Sequence, residues 1–351
     1  MKVIQVRNVN QALPEGLRHL EYFGRKTTSR NGDVLVSPTP VMTVYEQPLE
    51  KVLFWAERDA NPFFQLMEAL WMLAGRADVG WISYFNSNMT KYSDNGEVFH
   101  GAYGHRWRHH FGVDQLRGVV SLLRNHPQSR RAVISMWDPQ ADLQEGEKCR
   151  DIPCNTTIYV NLNPTGELDL TVTCRSNDII WGAYGTNAVH FSMLLEYLAA
   201  NLNVKPGRLY QLSNNFHAYV DVFEKNRPLI DRAADPYSPN KSVCPYIKGA
   251  VEARPLVANP QTFDRELAIC LGGVLDYNFL NPFLRSSALL VRAYCHYKSP
   301  NQERHALDCL SQADFAFGST SNLQWDWVVA CREWLQRRQK GREVTRGSKT
   351  A

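Results

Sequence analysis

The sequence predicts an α+β fold around a mostly antiparallel sheet, and three observations carry that reading. Strand-like and helical segments are interspersed without regular βαβ alternation, a strand–turn–strand signal lies mid-chain, and amphipathic helical stretches flank it. With 351 residues, 44% of them hydrophobic, the chain can bury a sizeable core in one large domain or two smaller ones.

The first clear element is "NPFFQLMEALWMLAGR" (61–76), a helix that Asn61 can cap, Pro62 can open and Gly75 can end. Helical spacing aligns Phe64, Glu68, Trp71 and Gly75, so Glu68 lies on the apolar side. A carboxylate there is costly to bury unless it is paired or used, which leaves open a rim residue, a structural ion pair or a working group. "RRAVISMW" (130–137) alternates like a strand and stops at Asp138-Pro139. "TTIYVNLNPTGELDLTVTCRS" (156–176) reads as a hairpin turning at Asn163–Gly166. The Gly-rich "WGAYGTN" leads into a helix through "AVHFSMLLEYLAANLN", and "NNFHAYVDVFEKN" joins a short polar element to another apolar-periodic segment. Beyond Asn226 the pattern loosens through "RAADPYSPNKSVCPYIKG". Two helices are then expected in "NPFLRSSALLVRAYCHYK" and "SNLQWDWVVACREWLQRRQ", before the basic end "RRQKGREVTRGSKTA".

Several classes are disfavoured. No apolar run approaches a membrane span, and the N-terminus lacks the apolar stretch of a signal peptide. Eight scattered cysteines without repeated CxxC spacing argue against a zinc site or a disulfide framework, so a soluble, cytoplasmic protein with reduced thiols and no metal is expected. A net charge of +4, with part of the excess in the tail, does not by itself imply nucleic-acid binding.

Taken singly, the chemical candidates are ordinary. Cys154 in "CRDIPCNT" (149–156) could be a packed thiol, His217 a satisfied structural histidine, and Arg130-Arg131 a solvated strand end. Their order is informative. "GAYGHRWR" (101–108), "SRRAVISMWDP" (129–139), "IPCNT" (152–156), "CRSNDIIWG" (174–182), "GTNAVHFSML" (185–194) and "HAY" (217–219) follow one another, preceded by "TSRNGD" (28–33) and "MEALWMLAG" (67–75). Together they resemble the thymidylate synthase family from about Thr28 to Asn226, whereas the last third does not resemble the usual synthase ending.

The resemblance implies a thymidylate-synthase-like homodimer packed through its sheet. Residues 1–226 would form the catalytic region, 227–335 a divergent helical part of the same domain, and 336–351 a basic, flexible tail. It implies a pyrimidine nucleoside monophosphate and 5,10-methylenetetrahydrofolate as co-substrates, with Cys154 as the thiolate that adds at C6 and makes C5 nucleophilic. Arg30, Arg175 and Ser176 match phosphate-binding groups, and Arg130 and Arg131 match an arginine pair that reaches into the partner subunit's site. Forked guanidinium groups suit a doubly charged phosphate. His217 and Tyr219 match the pair that bonds the sugar hydroxyl, and Asp178 the carboxylate that holds the folate's pterin. Glu68 matches a catalytic carboxylate acting through ordered water. Tyr103 matches a tyrosine tied to the water that takes the C5 proton. Asn187 matches the asparagine reading the pyrimidine edge, where an amide complements O4 and N3–H of uracil. "GAYGTN" carries one residue more than the usual synthase loop.

Four departures from the synthase pattern stand out. Asn155 replaces histidine after the nucleophile, Cys174 replaces glutamine before Arg-Ser, "NSNMTKYSDNG" (86–96) contains no tryptophan, and the C-terminus is basic instead of short and apolar. They concern the region that shields the methylene intermediate until hydride arrives, and a wetter pocket favours capture by water. The expected enzyme is therefore a dUMP 5-hydroxymethylase, like the phage-type branch of the family, and a virus-encoded enzyme acting in its host's cytoplasm fits that setting. Thymidylate synthesis and hydroxymethylation of dCMP or CMP are the alternatives. From other classes, a Cys154–His217 hydrolase pair would need hydrogen-bond contact between the two, and a non-catalytic nucleic-acid-binding protein would show salt-sensitive binding.

Overall fold

Three sheets and thirteen α-helical segments are formed by the described residues, 1–143, 150–234, 244–318 and 322–347, of a computed structural model. Cys149 at the head of "CRDIPCNT", the middle of "RAADPYSPNKSVCPYIKG" and the last four residues of the expected tail lie outside the described residues.

The chain opens with β1 (Lys2–Val6), α1 (Val9–Phe23), β2 (Arg25–Ser29), β3 (Gly32–Val36) and β4 (Val41–Tyr45). Helices α2 (Pro62–Leu73) and α3 (Val79–Phe85), the single turn α4 (Tyr103–His105) and α5 (Gln115–Asn125) follow. Next come β5 (Val133–Ser135), α6 (Pro139–Asp142), the hairpin β6 (Asn155–Leu162) and β7 (Leu168–Cys174), and β8 (Asn177–Asp178). A π-helix over Ile179–Thr186 runs into α7 (Asn187–Leu202), then β9 (Pro206–Ser213), β10 (Phe216–Tyr219), α8 (Val220–Asn226) and α9 (Pro228–Ala234). The last third adds β11 (Val251–Glu252), α10 (Pro260–Leu271), α11 (Pro282–Lys298), α12 (Glu303–Ala316), β12 (Gln324–Trp325) and α13 (Asp326–Gly347). Thus α13 continues helically into the stretch expected as a tail, and the expected strand 130–137 pairs only over Val133–Ser135.

The larger sheet has the order β1-β4-β9-β7-β6-β5 and is mixed, with β1·β4 and β7·β9 parallel and its other pairs antiparallel. Its two faces differ sharply. Register places Ile4, Thr43, Gln211, Val172, Ile158 and Ile134 in one row, all buried. The adjacent row, Gln5, Val44, Tyr210, Thr171, Tyr159 and Val133, points the other way, and Tyr159 is 48% exposed. Tyr159 and Val133 are exposed at the β5–β6 end of that face, a surface suited to association.

The buried face packs on α7, every residue of which from Asn187 to Ala199 is buried. A helix with no exposed stripe over that length belongs in the middle of a core. Its neighbour α2 begins as the sequence predicts: Asn61 accepts the Phe64 N–H, and Gly75 closes the end at φ +74°. The far side of α2 is covered by the last third. Phe63 packs against Tyr294 of α11 and Trp334 of α13, with ring centroids 5.2 and 5.8 Å away. Arg338 of α13 grips Asp59, just ahead of α2, through two hydrogen bonds of 2.5 and 2.6 Å.

Candidate active site

A cavity of about 300 Å³ opens where α2, α4, the start of β6 and the π-helix converge, and Cys154 lines it. The expected residues Glu68, Tyr103, Ser176, Asp178 and Asn187 line it as well. Trp71, Met72, Ile82, Met89 and Phe99 supply an apolar wall, with Met89 contributed by the tryptophan-free stretch 86–96.

Cys154 stands just before β6, beside a register irregularity between Asn155 and Thr157. Such a bulge re-aims the side chains that flank it. The loop is anchored from both sides. Tyr103 Oη accepts the N–H groups of Cys154 and Asn155, each at 3.1 Å, while Cys154 O accepts the Arg175 N–H at 2.8 Å. Tyr103 is itself fixed by its surroundings: a Cβ on Gly104 would collide with the Met72 backbone, so only glycine lets α4 lie this close to α2. Two residues on, fully buried Arg106 pairs with Asp142 through contacts of 2.7 and 2.9 Å, tying this segment to α6.

Burial pushes the Cys154 thiol up; Arg175 and Arg30 oppose that, and Asp151 adds to it. Both arginines are exposed, so solvent weakens their pull on the thiol. Arg175 also donates to Pro153 O at 2.8 Å and Ile152 O at 3.1 Å, so it braces the loop that carries Cys154.

Glu68 resolves the alternatives left by its helical position. It is bonded to His190 Nε2 of α7 at 2.9 Å and faces the cavity, so it is both paired and placed for use. His190 was not anticipated; it sits inside an apolar helix whose periodicity gives no reason to single it out.

Asn187 belongs to a chain of side-chain hydrogen bonds. Asn155 Nδ2 donates to Asn187 Oδ1 at 3.4 Å, Asn187 Nδ2 to Asn177 Oδ1 at 3.2 Å, and Asn177 Nδ2 to Ser213 Oγ at 2.9 Å. That relay fixes which end of the Asn187 amide is donor and which acceptor, leaving one N–H and one lone pair for a planar partner. Asn155, at the position of the synthase histidine, therefore helps to orient the Asn187 amide. The additional residue of "GAYGTN" lies in the π-helix, which ends in a kink at Gly185 and delivers Asn187 to the first position of α7.

Asp178 caps that π-helix, accepting the N–H groups of Ile180 and Trp181 at 2.9 and 2.6 Å through Oδ1. Its Oδ2 is buried with no partner among the described residues, and burial pushes the carboxyl up. An unpaired buried acceptor facing a cavity is a natural place for a ligand's N–H donors.

Other expected residues lie outside this cavity. His217 and Tyr219 stand together on β10, ring centroids 5.8 Å apart, and Asn31 Nδ2 donates to Tyr219 Oη at 3.4 Å. His217 Nδ1 contacts Asn215 O at 3.4 Å, and among the described residues no hydrogen bond joins it to Cys154, which leaves the hydrolase pair without its required contact. Arg130 and Arg131 are exposed where the chain enters edge strand β5 and do not line the cavity. Asp151, which the sequence reading did not select, does line it.

Comparison with known proteins fits this architecture. The chain is 46% identical over 347 residues to a protein of Pseudomonas phage M6 named deoxyuridylate hydroxymethyltransferase, covering 98% of this chain and 96% of that one. It is 37% identical over 214 residues to a protein of the same name from Bacillus phage SP01, covering 56% and 55%. In structure it resembles thymidylate synthase from T4 phage, with a TM-score of 0.50 at 21% identity over 62% of this chain and 79% of that one. Residues 24–244 match the thymidylate synthase family, and the chain belongs to that family.

Proposed function

We propose that the protein is a dUMP 5-hydroxymethylase that uses 5,10-methylenetetrahydrofolate as one-carbon donor. The observation that carries this reading is the 46% identity to a deoxyuridylate hydroxymethyltransferase, sustained across the C-terminal third as well as the catalytic region. The cavity supports it. Cys154 is the nucleophile for C6 of the base, and Asn187, oriented by Asn155 and Asn177, offers the donor and acceptor that uracil complements. Glu68 with His190 handles protons around the ring, and Tyr103, whose oxygen already accepts two N–H groups, lines the site with its own O–H still to donate.

The residues present fit the folate: Asp178 Oδ2 is a buried acceptor without a hydrogen-bond partner among the described residues, beside the exposed indole of Trp181. When bound, the folate supplies the methylene carbon. Ser176, Arg30 and Arg175 provide phosphate contacts, and His217 with Tyr219 a sugar contact. A homodimer through the open Tyr159 face of the large sheet would bring Arg130 and Arg131 to the partner's site, and light scattering of the purified protein gives its mass in solution. Its phage relatives support a virus-encoded enzyme working in the host cytoplasm.

The test is to incubate the protein with methylenetetrahydrofolate and, separately, dUMP, dCMP or CMP, following products by mass spectrometry and dihydrofolate by absorbance. Hydroxymethyl-dUMP without dihydrofolate is expected. A methyl product with stoichiometric dihydrofolate would overturn the reading.

A further inference from the structure

Three carboxylates and one thiol line the cavity, and the carboxylates are not equivalent. Glu68 is bound to His190, and Asp178 holds the first turn of the π-helix. Asp151 is different. Its Oδ2 accepts the Gly101 N–H at 2.9 Å, and among the described residues no other donor reaches its side chain. Neighbouring His100 and Arg106 are engaged by Asp142 at 2.8 and 2.7 Å. Asp151 is therefore a largely buried carboxylate with no ion-pair partner among the described residues, facing the same space as the nucleophile three residues ahead of it. Its charge is felt by both Cys154 and Tyr103.

The arrangement is held closely. A Cβ on Gly101 would lie 2.6 Å from Asp151 O and 3.2 Å from the Pro153 ring, so glycine is what allows this backbone to dock against the nucleophile's loop and present its N–H. A desolvated carboxylate that nothing neutralises costs stability, and such groups are retained where they act.

We propose that Asp151 is the general base that activates the water attacking the exocyclic methylene of the nucleotide, an inference that rests on the hydroxymethylase reading above. The methylene is attached to C5, next to the C6 that bears Cys154, so a base on the same loop stands beside the carbon attacked. A lone pair of the water oxygen forms the new C–O bond. The methylene π pair moves into the ring as the C4 enolate, and the water proton passes to the Asp151 carboxylate. The enolate then restores C5=C6 as the bond from Cys154 Sγ to C6 breaks, which releases the thiolate. No oxidant or reductant is consumed. Burial raises the carboxyl's proton affinity above that of an ordinary aspartate, which strengthens it as a base.

The experiment compares wild type with Asp151→Asn, whose amide oxygen can still accept the Gly101 N–H. Three quantities are read: tritium release from dUMP tritiated at C5, formation of hydroxymethyl-dUMP, and capture of the methylene as a thioether by added 2-mercaptoethanol. Hydroxymethyl product should fall about 100-fold or more. Tritium release should fall far less, and the thioether should accumulate. Where Asp151→Asn does not fold, Asp151→Ala with added formate serves, and formate should restore hydroxymethyl product. Unchanged product formation, or equal loss of tritium release and product, would overturn the assignment. A wild-type enzyme that makes methyl product with dihydrofolate would instead overturn the hydroxymethylase reading, and the two failures are distinct.

Discussion

Tyr103 and Cys154 are joined through the backbone, not through their functional atoms: the tyrosine oxygen takes the N–H of the nucleophile and that of the next residue, at 3.1 Å each. One side chain thus anchors the backbone that carries the thiol. Tyr103→Phe should leave two buried N–H groups without an acceptor, at roughly 1–3 kcal/mol. We expect a lower Tm together with a loss of turnover, and unchanged values for both would show that the loop is held by other means.

Cys154→Ser should abolish product while leaving dUMP binding, measured by calorimetry, nearly intact. In the free protein burial raises the thiol above its usual range, so thiolate is scarce at neutral pH and increases as pH rises. Alkylation of Cys154 by iodoacetamide should therefore still climb with pH beyond the ordinary thiol value. Arg175→Gln removes an opposing cation and should slow it further at a fixed pH. A plateau near neutrality would contradict this balance.

Asn187→Asp should move preference towards dCMP, because a protonated carboxyl can pair with N3 and the exocyclic amine of cytosine. Since Asn155 orients Asn187, Asn155→Ala should weaken discrimination between dUMP and dCMP without removing the nucleophile. Product ratios from mixed nucleotides measure both, and an unchanged ratio would detach Asn187 from base reading.

A pH dependence of stability is expected far from the active site. Burial pushes the Asp326 carboxyl up to about 7, although Tyr246 donates to it at 2.6 Å. An unfolded aspartate titrates near ~3.9. The raised folded value means that its favourable contribution is present at low pH and is lost as pH rises through about 7. Asp326→Asn should accordingly raise Tm more at pH 8 than at pH 5. Equal effects at both would show that the carboxyl is ionised throughout.

Much of this was legible because local chemistry and tertiary context agree. Asn61 and Gly75 bound α2, and the turn after β6 is made by Asn163, whose Oδ1 takes the Thr165 and Glu167 N–H groups, and by Gly166 at φ +83°. The motif order located Cys154, Glu68, Tyr103, Asp178 and Asn187, which the fold gathers from separate elements. Asp151 and His190 escaped for opposite reasons. The first lies in a loop without periodicity, and its place three residues before the nucleophile was the only signal. The second is hidden in a helix apolar on every side. Helices α10 and α12 lie where turn-like dipeptides interrupt the apolar pattern, and α1 carries Pro14 within it.

The grip of Tyr294 and Trp334 on Phe63 of α2, and of Arg338 on Asp59 just ahead of it, has a wider consequence. Glu68 projects from one side of a rod whose opposite side rests on the final third of the chain. An exchange of C-terminal segments between distant relatives would transplant that foundation and tilt the carboxylate while touching nothing in the cavity. The two ends of the gene should therefore be inherited as a unit, even though only the first writes the chemistry.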